Sequence, residues 1–484
     1  MHVVLVNTAI RPDSTKLLPN VGLAYIASAI NRAGFPVTML DIDVHRYSCS
    51  QLEHWLRTHP CDVIGIGTLT SHYGWTKRFA ALCKSIHPRA PIIVGNTLGT
   101  SVPKVLLEKT DVEYCVLGEG DVTIVELLAA LDMGTPVSEV AGLAYKQAGQ
   151  VYETPERPTI REIDRIPFPD WDLFEVSAYL AKSHQHVLQS DQLPLPREQM
   201  ISMPVTTARG CPFTCTFCYH AFQGTKYRHR AASSIADEMI ALRDHYGVNF
   251  INFWDELSFS HPRQAEQLAD ELLAKQANLH FVASCRADLF GEQHFPIAKK
   301  LRQAGCIALS YSLENADEGI LEAMNKKCDS TDFITQTRVL QEAGIDCTTS
   351  LVFGYPQETR ETIRKTFAVV ERAKIYPSVG YLEPMPGTPM YETAKTMGVI
   401  TDEEDYLMQM GDRQDLRVNL TAMSSADLQA CVKSELVALN QKFKLDYTDK
   451  NLIKTGTLRP SLKDSFLQGF GVAAEVASQE EVCG

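Results

Sequence analysis

The sequence predicts an α/β protein in two halves: an N-terminal doubly wound parallel sheet, then a partial (β/α)6 barrel, closed by a mainly helical C-terminal segment. Three observations predict it. Short apolar runs alternate with helical spacing through residues 1–145, a proline-rich stretch breaks the pattern over 146–200, and a second alternation begins at Val205. A chain of 484 residues suggests roughly three domains by length alone.

The elements follow in order. Val3–Asn7 reads as a buried strand and Gly22–Ala33 as a helix ended by Gly34. Val37–Asp41, Val63–Gly67 and Pro91–Gly95 read as further strands, with a helix over Trp75–Ser85. A helix near Lys104–Glu108, a strand at Tyr114–Leu117 and a helix at Thr123–Leu131 complete the first half. Pro155, Pro158, Pro167, Pro169, Pro194 and Pro196 mark 146–200 as a connector. Strands near Val205–Ala208, Phe250–Trp254, Phe281–Cys285, Ala308–Ser312, Thr348–Val352 and Val379–Leu382, with helices between them, predict the barrel over 201–395. Residues 396–484 read as a helical C-terminal domain with a polar tail. There is no internal repeat and no low-complexity stretch.

A net charge of −13 speaks against nucleic acid as the partner, since tracking phosphates takes an excess of Lys and Arg. No segment approaches the ~18 apolar residues that cross a bilayer, so no membrane partner is expected. Met1–Val6 carries no basic leader, and a cytoplasmic location is expected. In a reducing compartment the 13 cysteines are no disulfide framework, and most are plain buried hydrophobes. Three of them cluster.

Those three lie in Gly210-Cys211-Pro212-Phe213-Thr214-Cys215-Thr216-Phe217-Cys218, just after the first barrel strand. Three thiolates on one loop, with three and then two residues between them, can ligate three corners of a cubic iron–sulfur cluster and leave one iron open to chelate a ligand. Zinc is the competing reading, with His220 as the fourth ligand. The adjacent carboxylates Asp255 and Glu256, ending the second barrel strand, suit a cation site or, alternatively, a helix N-cap before Ser258. Arg286, after the third strand, suits a carboxylate partner or a surface salt bridge.

The cysteine spacing with its aromatic resembles the C-x3-C-x-aromatic-C signature of the radical S-adenosylmethionine (SAM) superfamily. With Gly118-Glu119-Gly120-Asp121 and Ile166-Pro167-Phe168-Pro169, residues 1–395 resemble its cobalamin-binding subclass. The resemblance implies a 4Fe-4S cluster on Cys211, Cys215 and Cys218, with SAM chelating the open iron beside Phe217. It implies SAM contacts from Asp255 and Glu256 to the ammonium, Arg286 to the carboxylate, Ser312 and Glu314 of Ser312-Leu313-Glu314-Asn315 to the nucleoside, and Gly354 of Gly354-Tyr355-Pro356-Gln357-Glu358-Thr359 to adenine. Pro384-Met385-Pro386-Gly387-Thr388-Pro389 resembles a structural turn of the family.

The resemblance further implies cobalamin over Thr8, Asn20, Gly67, Thr68, Thr70, Ser71, Gly95, Asn96, Thr97, Gly118, Glu119 and Gly120. The Thr8–Asn20 loop holds no His, Cys or Met, so the cobalt is expected base-off. Asp43-Val44-His45 follows the second strand, on the wrong loop, and reads as chance. The implied activity is methylation of an unactivated carbon, or phosphinate phosphorus, of a small-molecule biosynthetic intermediate, through a 5′-deoxyadenosyl radical and methylcobalamin. A cobalamin-associated cyclase or ring-rearranging enzyme is the alternative within the class, and an iron–sulfur electron-transfer protein the alternative outside it. The expected partners are a small-molecule substrate and an external electron donor of flavodoxin or ferredoxin type. Cys49, Cys61, Cys83 and Cys115 do not resemble the second cysteine triplet of methylthiotransferase relatives.

Overall fold

The computed structural model describes residues 1–11, 14–219, 227–411, 413, 415–449 and 452–453. His220 and the polar tail lie outside the described residues. The N-terminal sheet has strands β1 (Val3–Asn7), β2 (Val37–Asp41), β3 (Val63–Gly67), β4 (Ile92–Gly95), β5 (Tyr114–Val116), β6 (Leu143–Gln147) and β7 (Gln150–Glu153), in the order β2-β1-β3-β4-β5-β6-β7. β1 to β5 are parallel; β6 and β7 join antiparallel.

Period-two alternation sends each strand's side chains into two separate cores. Val3 and Leu5 join Leu23, Ala27 and Leu127 on one face. Val4 and Val6 join Leu52, Phe79 and Leu106 on the other. A chain buried on both sides must read as continuously apolar, which is why β1 is Val-Val-Leu-Val before Asn7.

The expected domain boundary at residue 145 falls inside β6, and the sheet continues to Glu153. Ala148 and Gly149, both at positive φ, make a two-residue turn that pairs Gln147 with Gln150. A second unexpected element is the helix Cys49–Thr58, which buries only Leu52 and Leu56.

The barrel strands are β8 (Ser202–Val205), β11 (Phe250–Phe253), β12 (His280–Ser284), β13 (Cys306–Ser310), β14 (Asp346–Thr348), β15 (Ser350–Phe353) and β16 (Ser378–Tyr381); β9 (Ala208–Arg209) and β10 (Arg228–His229) form a separate antiparallel ribbon. The order β14-β13-β12-β11-β8 is parallel throughout, β15 pairs with β16, and the bridge Glu314↔Leu351 ties the two sheets into an open barrel. The first barrel strand ends at Val205, earlier than expected. Beyond it Asp255 pulls the chain aside by accepting hydrogen bonds from the Thr207 amide (2.7 Å) and hydroxyl (2.6 Å).

After residue 396 the expected helices appear at Glu403–Gln409 and Ser425–Lys442. They build no core of their own. Leu428, Val432 and Leu436 pack into the barrel's core, and Leu407 and Met410 into the far face of the N-terminal sheet. The segment also closes the free edge of β16, whose Tyr381 and Val379 amides donate to the carbonyls of Arg413 (2.7 Å) and Ile453 (3.0 Å). No described helix is long and apolar enough to cross a membrane.

Candidate active site

Gly210, at φ +83°, turns the chain out of the ribbon into the cysteine loop. The loop is pinned along its length. The Cys218 amide donates to Cys215 O (3.2 Å), Thr216 binds Met324 O (3.0 Å) and Ala323 O (2.8 Å), and Asn325 binds Thr214 O (3.1 Å). Cys211, Cys215 and Cys218 are free thiols, close enough that Cys215 adds to the upward shift of Cys211, and both Cys215 and Cys211 add to that of Cys218. Burial pushes Cys218 up to about 12, so incoming iron must displace its proton. Among the described residues no trio of His, Cys, Asp or Glu closes on a single-ion site. A cubic cluster asks for something wider, one thiolate on each of three irons, and this loop fits it.

The expected SAM residues divide in two. The Asp255 carboxylate is taken up by Thr207 and Ala208, so it braces the loop between β8 and β9 instead of facing a ligand; it caps no helix. Glu256 lines the cavity described below. The Arg286 guanidinium lies 4.0 Å over the Phe213 ring inside the cysteine loop, donates to Lys327 O (2.6 Å) and pairs with the half-buried Asp288 at 3.5 Å, the salt-bridge alternative in a largely buried form. Ser312 bonds Ser350 (2.6 Å).

Glu314 is buried beside the thiols, at φ +64°, and pairs with Lys326 at 3.1 Å. A non-glycine residue held left-handed costs roughly 1–2 kcal/mol, a strain typical of functional positions. Gly354 (φ +116°) donates to Glu358 (3.4 Å), whose pKa burial pushes up to about 7. Phe217 stands edge-on to Tyr355 at 6.4 Å, within a small core around Ile320 and Met390. Gly387 (φ +85°) packs on Tyr219, where a Cβ would stand 2.9 Å from the ring.

Between the carboxyl ends of β1, β3, β4 and β5 and the barrel mouth lies a cavity of about 390 Å³. Its lining includes Gly67, Gly95, Asn96, Thr97, Gly118, Glu119 and Gly120 on the sheet side, and Arg209, Tyr219, Trp254 and Glu256 on the barrel side. Glycine keeps it open: a Cβ at Gly65 would stand 2.6 Å from Leu5 Cδ2, and one at Gly120 2.9 Å from Ile26 Cδ1. Bare strand ends around a long cleft fit the tail of a large cofactor.

Of the other expected cobalamin residues, Thr8 and Thr68 bond each other (2.9 Å) behind the cavity, and Asn20 caps the helix Val21–Arg32. Thr70 bonds Thr97 and Ser101, with Ser71 in the turn beside it. They shape the loops and do not line the space.

His45 is paired with Glu175 away from the cavity. His72 and His186, both half-buried and pushed down to about 4 by desolvation, hold the loop after β1 from two sides: His72 Nε2 meets Ala9 O (3.3 Å) and His186 Nε2 meets Leu17 O.

Three site residues, Arg209, Arg228 and Lys326, escaped sequence reasoning. Glu119 accepts from Arg209 (3.1 Å) and Arg228 (2.7 Å), and Asp121 accepts twice from Arg209 (2.8 and 2.9 Å), bridging sheet and barrel at the cavity wall. Lys326, the third, pairs with Glu314 at 3.1 Å. Arg209 had one available signal, its place beside Gly210 and the first cysteine; the others had none.

Residues 205–370 match the Radical SAM superfamily, and residues 9–128 match the B12 binding domain. An uncharacterized methyltransferase of Pyrococcus horikoshii is 28% identical over 379 residues, covering 78% of each chain. The anaerobic magnesium-protoporphyrin IX monomethyl ester cyclase of Rubrivivax gelatinosus is 27% identical over 357 residues, covering 72% of this chain and 61% of that one. Among solved structures, the radical S-adenosylmethionine methyltransferase TsrM of Kitasatospora setae, with cobalamin and a 4Fe-4S cluster bound, superposes with TM-score 0.65 at 20% identity, covering 82% of this chain and 78% of that one; it shares the fold. A cysteine loop at the mouth of an open parallel barrel faces a glycine-walled sheet where those two matched regions adjoin, and the chain combines a radical SAM domain with a B12 binding domain.

Proposed function

We propose that the protein is a radical SAM methyltransferase that methylates an unactivated carbon, or a phosphinate phosphorus, of a small-molecule biosynthetic intermediate. The observation that carries this reading is the cavity walled by sheet glycines on one side and by Tyr219, Trp254 and Glu256 on the other. It gives cobalamin, SAM and substrate one common space. When bound, the cluster with SAM supplies hydrogen abstraction, and cobalamin supplies a transferable methyl group.

The chain's own residues bind and orient. Glu256 faces the cavity as the acceptor for the SAM ammonium, and Glu314, fixed by Lys326, faces the nucleoside. Arg286, stacked on Phe213, holds the cysteine loop beside the SAM carboxylate. With His45 and His72 engaged elsewhere, neither would serve as a ligand to cobalt, and a bound cobalamin would be base-off. Electrons come from an external donor, and the charge of −13 disfavours a nucleic-acid substrate.

The name of the Pyrococcus relative supports methyl transfer. The name of the Rubrivivax relative supports a second reading, cyclisation in the same cavity. Anaerobic reconstitution with SAM and hydroxocobalamin, reduction by dithionite and mass spectrometry against candidate intermediates test both. Methyl transfer yields S-adenosylhomocysteine and a product heavier by one methylene. Substrate-dependent 5′-deoxyadenosine with neither of these establishes cyclisation, and no 5′-deoxyadenosine from cluster-loaded protein overturns both.

A further inference from the structure

Gln336 lies on the buried face of the helix Ser330–Glu342, beside Phe333 and Leu340, and has no exposed surface. An uncharged amide in such a place costs stability unless each of its polar atoms finds a partner. Here each does. Oε1 accepts from the amides of Leu289 (2.7 Å) and Phe290 (2.8 Å), and Nε2 donates to the carbonyl of Arg286 (2.8 Å) and to the Cys285 sulfur (3.7 Å). Both lone pairs and both N–H groups of the amide are then in use, so its orientation is fixed. Packing alone does not account for a glutamine at this position, since an aliphatic side chain would fill the same volume with no polar atom to satisfy.

Those bonds gather the backbone of residues 285–290, where the chain leaves β12. From that stretch Arg286 reaches the cysteine loop. Its guanidinium lies 4.0 Å over the ring of Phe213, which stands between Cys211 and Cys215, and it donates to Lys327 O (2.6 Å). The residues just before Lys327 are tied to the same loop, Met324 O and Ala323 O by Thr216 and the Asn325 side chain by Thr214. A path of direct contacts therefore runs from Gln336 through Arg286 to the loop that carries the thiols. A long side chain such as arginine loses much rotamer freedom when it is held in one pose, and where its backbone is anchored decides which pose it can reach.

We propose that Gln336 is a positioning residue for the SAM reaction, acting through Arg286 on the loop Cys211–Cys218 and so on how tightly the loaded cluster takes up SAM. This rests on the reading above that cluster and SAM meet at that loop, and it adds a side chain whose own hydrogen bonds reach none of the three loop cysteines.

The full chain is reconstituted with its cluster, SAM binding is measured by equilibrium dialysis, and the reduced cluster is observed by electron paramagnetic resonance with and without SAM. Gln336→Met keeps the volume and removes the bonds. The dissociation constant of SAM should rise about five- to tenfold, the size of a lost cation–ring contact, and the SAM-induced change in the resonance should shrink. Gln336→Glu keeps the acceptors for Leu289 and Phe290 but withdraws the donor from Arg286 O, and should move both readouts the same way. It stands in if Gln336→Met does not fold. Thr337→Val is the control for a merely structural loss: Thr337 is equally buried on the same helix and bonds the Tyr311 hydroxyl (2.8 Å), yet its replacement should leave both readouts as in wild type. In an Arg286→Met background, Gln336→Met should weaken SAM binding little further, because the path has lost its middle member.

The proposal is overturned if a folded Gln336 variant binds SAM and responds in the resonance as wild type does, if Thr337→Val disturbs both as much, or if the two losses add in the double variant. Wild-type protein that takes up no cluster defeats the reading above. Wild-type protein that answers to SAM, beside Gln336 variants that answer equally, defeats this proposal alone.

Discussion

Beside the cavity, Glu119 and Asp121 of the sheet domain reach across to Arg209 and Arg228 of the barrel; on the sheet's far face, Leu407 and Met410 of the C-terminal segment sink between Tyr73, Phe79 and their neighbours. Both contacts hold the halves together, by opposite means. The first is directional: its hydrogen bonds place Arg209 two residues before Cys211 and, through Gly118 and Gly120, position the glycine wall. The second is apolar and non-directional, giving adhesion without orientation. Orientation is concentrated at the cavity wall, and adhesion is placed where only attachment is needed.

The sharpest way to break this contrast is Arg209→Ala. It leaves Glu119 and Asp121 short of a buried partner, at a cost of roughly 3–5 kcal/mol, and it should also lower cobalamin retention, read by denaturant unfolding and by cobalt content. Leu407→Ala should cost about 2–3 kcal/mol through the hole it leaves but keep wild-type cobalt per folded molecule. If the two variants lost cobalamin equally, the distinction between orienting and adhesive contacts would fail.

Mild acid probes a contact intermediate in kind, the half-buried histidines that hold the loop after β1. His72 and His186 take up a proton only near pH 4 when folded, against about 6.5 when unfolded. Their contribution is therefore complete above pH 6.5 and lost as the pH falls toward 4. Moving from pH 7.5 to 6 should cost about 1–2 kcal/mol, and His72→Gln should flatten that dependence in thermal melts. The smallest effect belongs to Glu404→Gln, which loosens the half-exposed contacts to Tyr73 (2.9 Å) and Lys77 (2.5 Å) at the edge of the apolar contact. Less than about 1 kcal/mol is expected, within reach of paired denaturant curves.

The parts of the site legible in the sequence are those in which cause and effect lie close along the chain. The cysteine loop is one, its three thiols within eight residues. The small residues ending β3, β4 and β5 are another, because strand period and a terminal glycine are local. The bridge of Glu119 to Arg209 and Arg228 joins residues 90 and 109 positions apart, and nothing local announces a pairing at that range. Asp255 shows the same limit from the other side: its position at a strand end was readable, but whether it faced a ligand or Thr207 depended on where β8 stopped. The helix Cys49–Thr58 was passed over because Leu52 and Leu56 are its only buried residues, too few for a helical period to stand out, and the β6–β7 hairpin because Ala148-Gly149 is a weak turn signal compared with Asn-Gly.

The edge of β16 has a consequence for how the chain behaves when it is shortened. Arg413 and Ile453 lend their carbonyls to amides that would otherwise stand open along the last strand of the barrel. A chain cut after Met410 would keep the cysteine loop, the glycine wall and the cavity, yet present a bare strand of Ser378-Val379-Gly380-Tyr381 to its neighbours. Unpaired edges of that kind recruit one another between molecules. Such a truncation should accumulate as aggregate during refolding, so the C-terminal segment acts, besides its other contacts, as the barrel's guard against self-association.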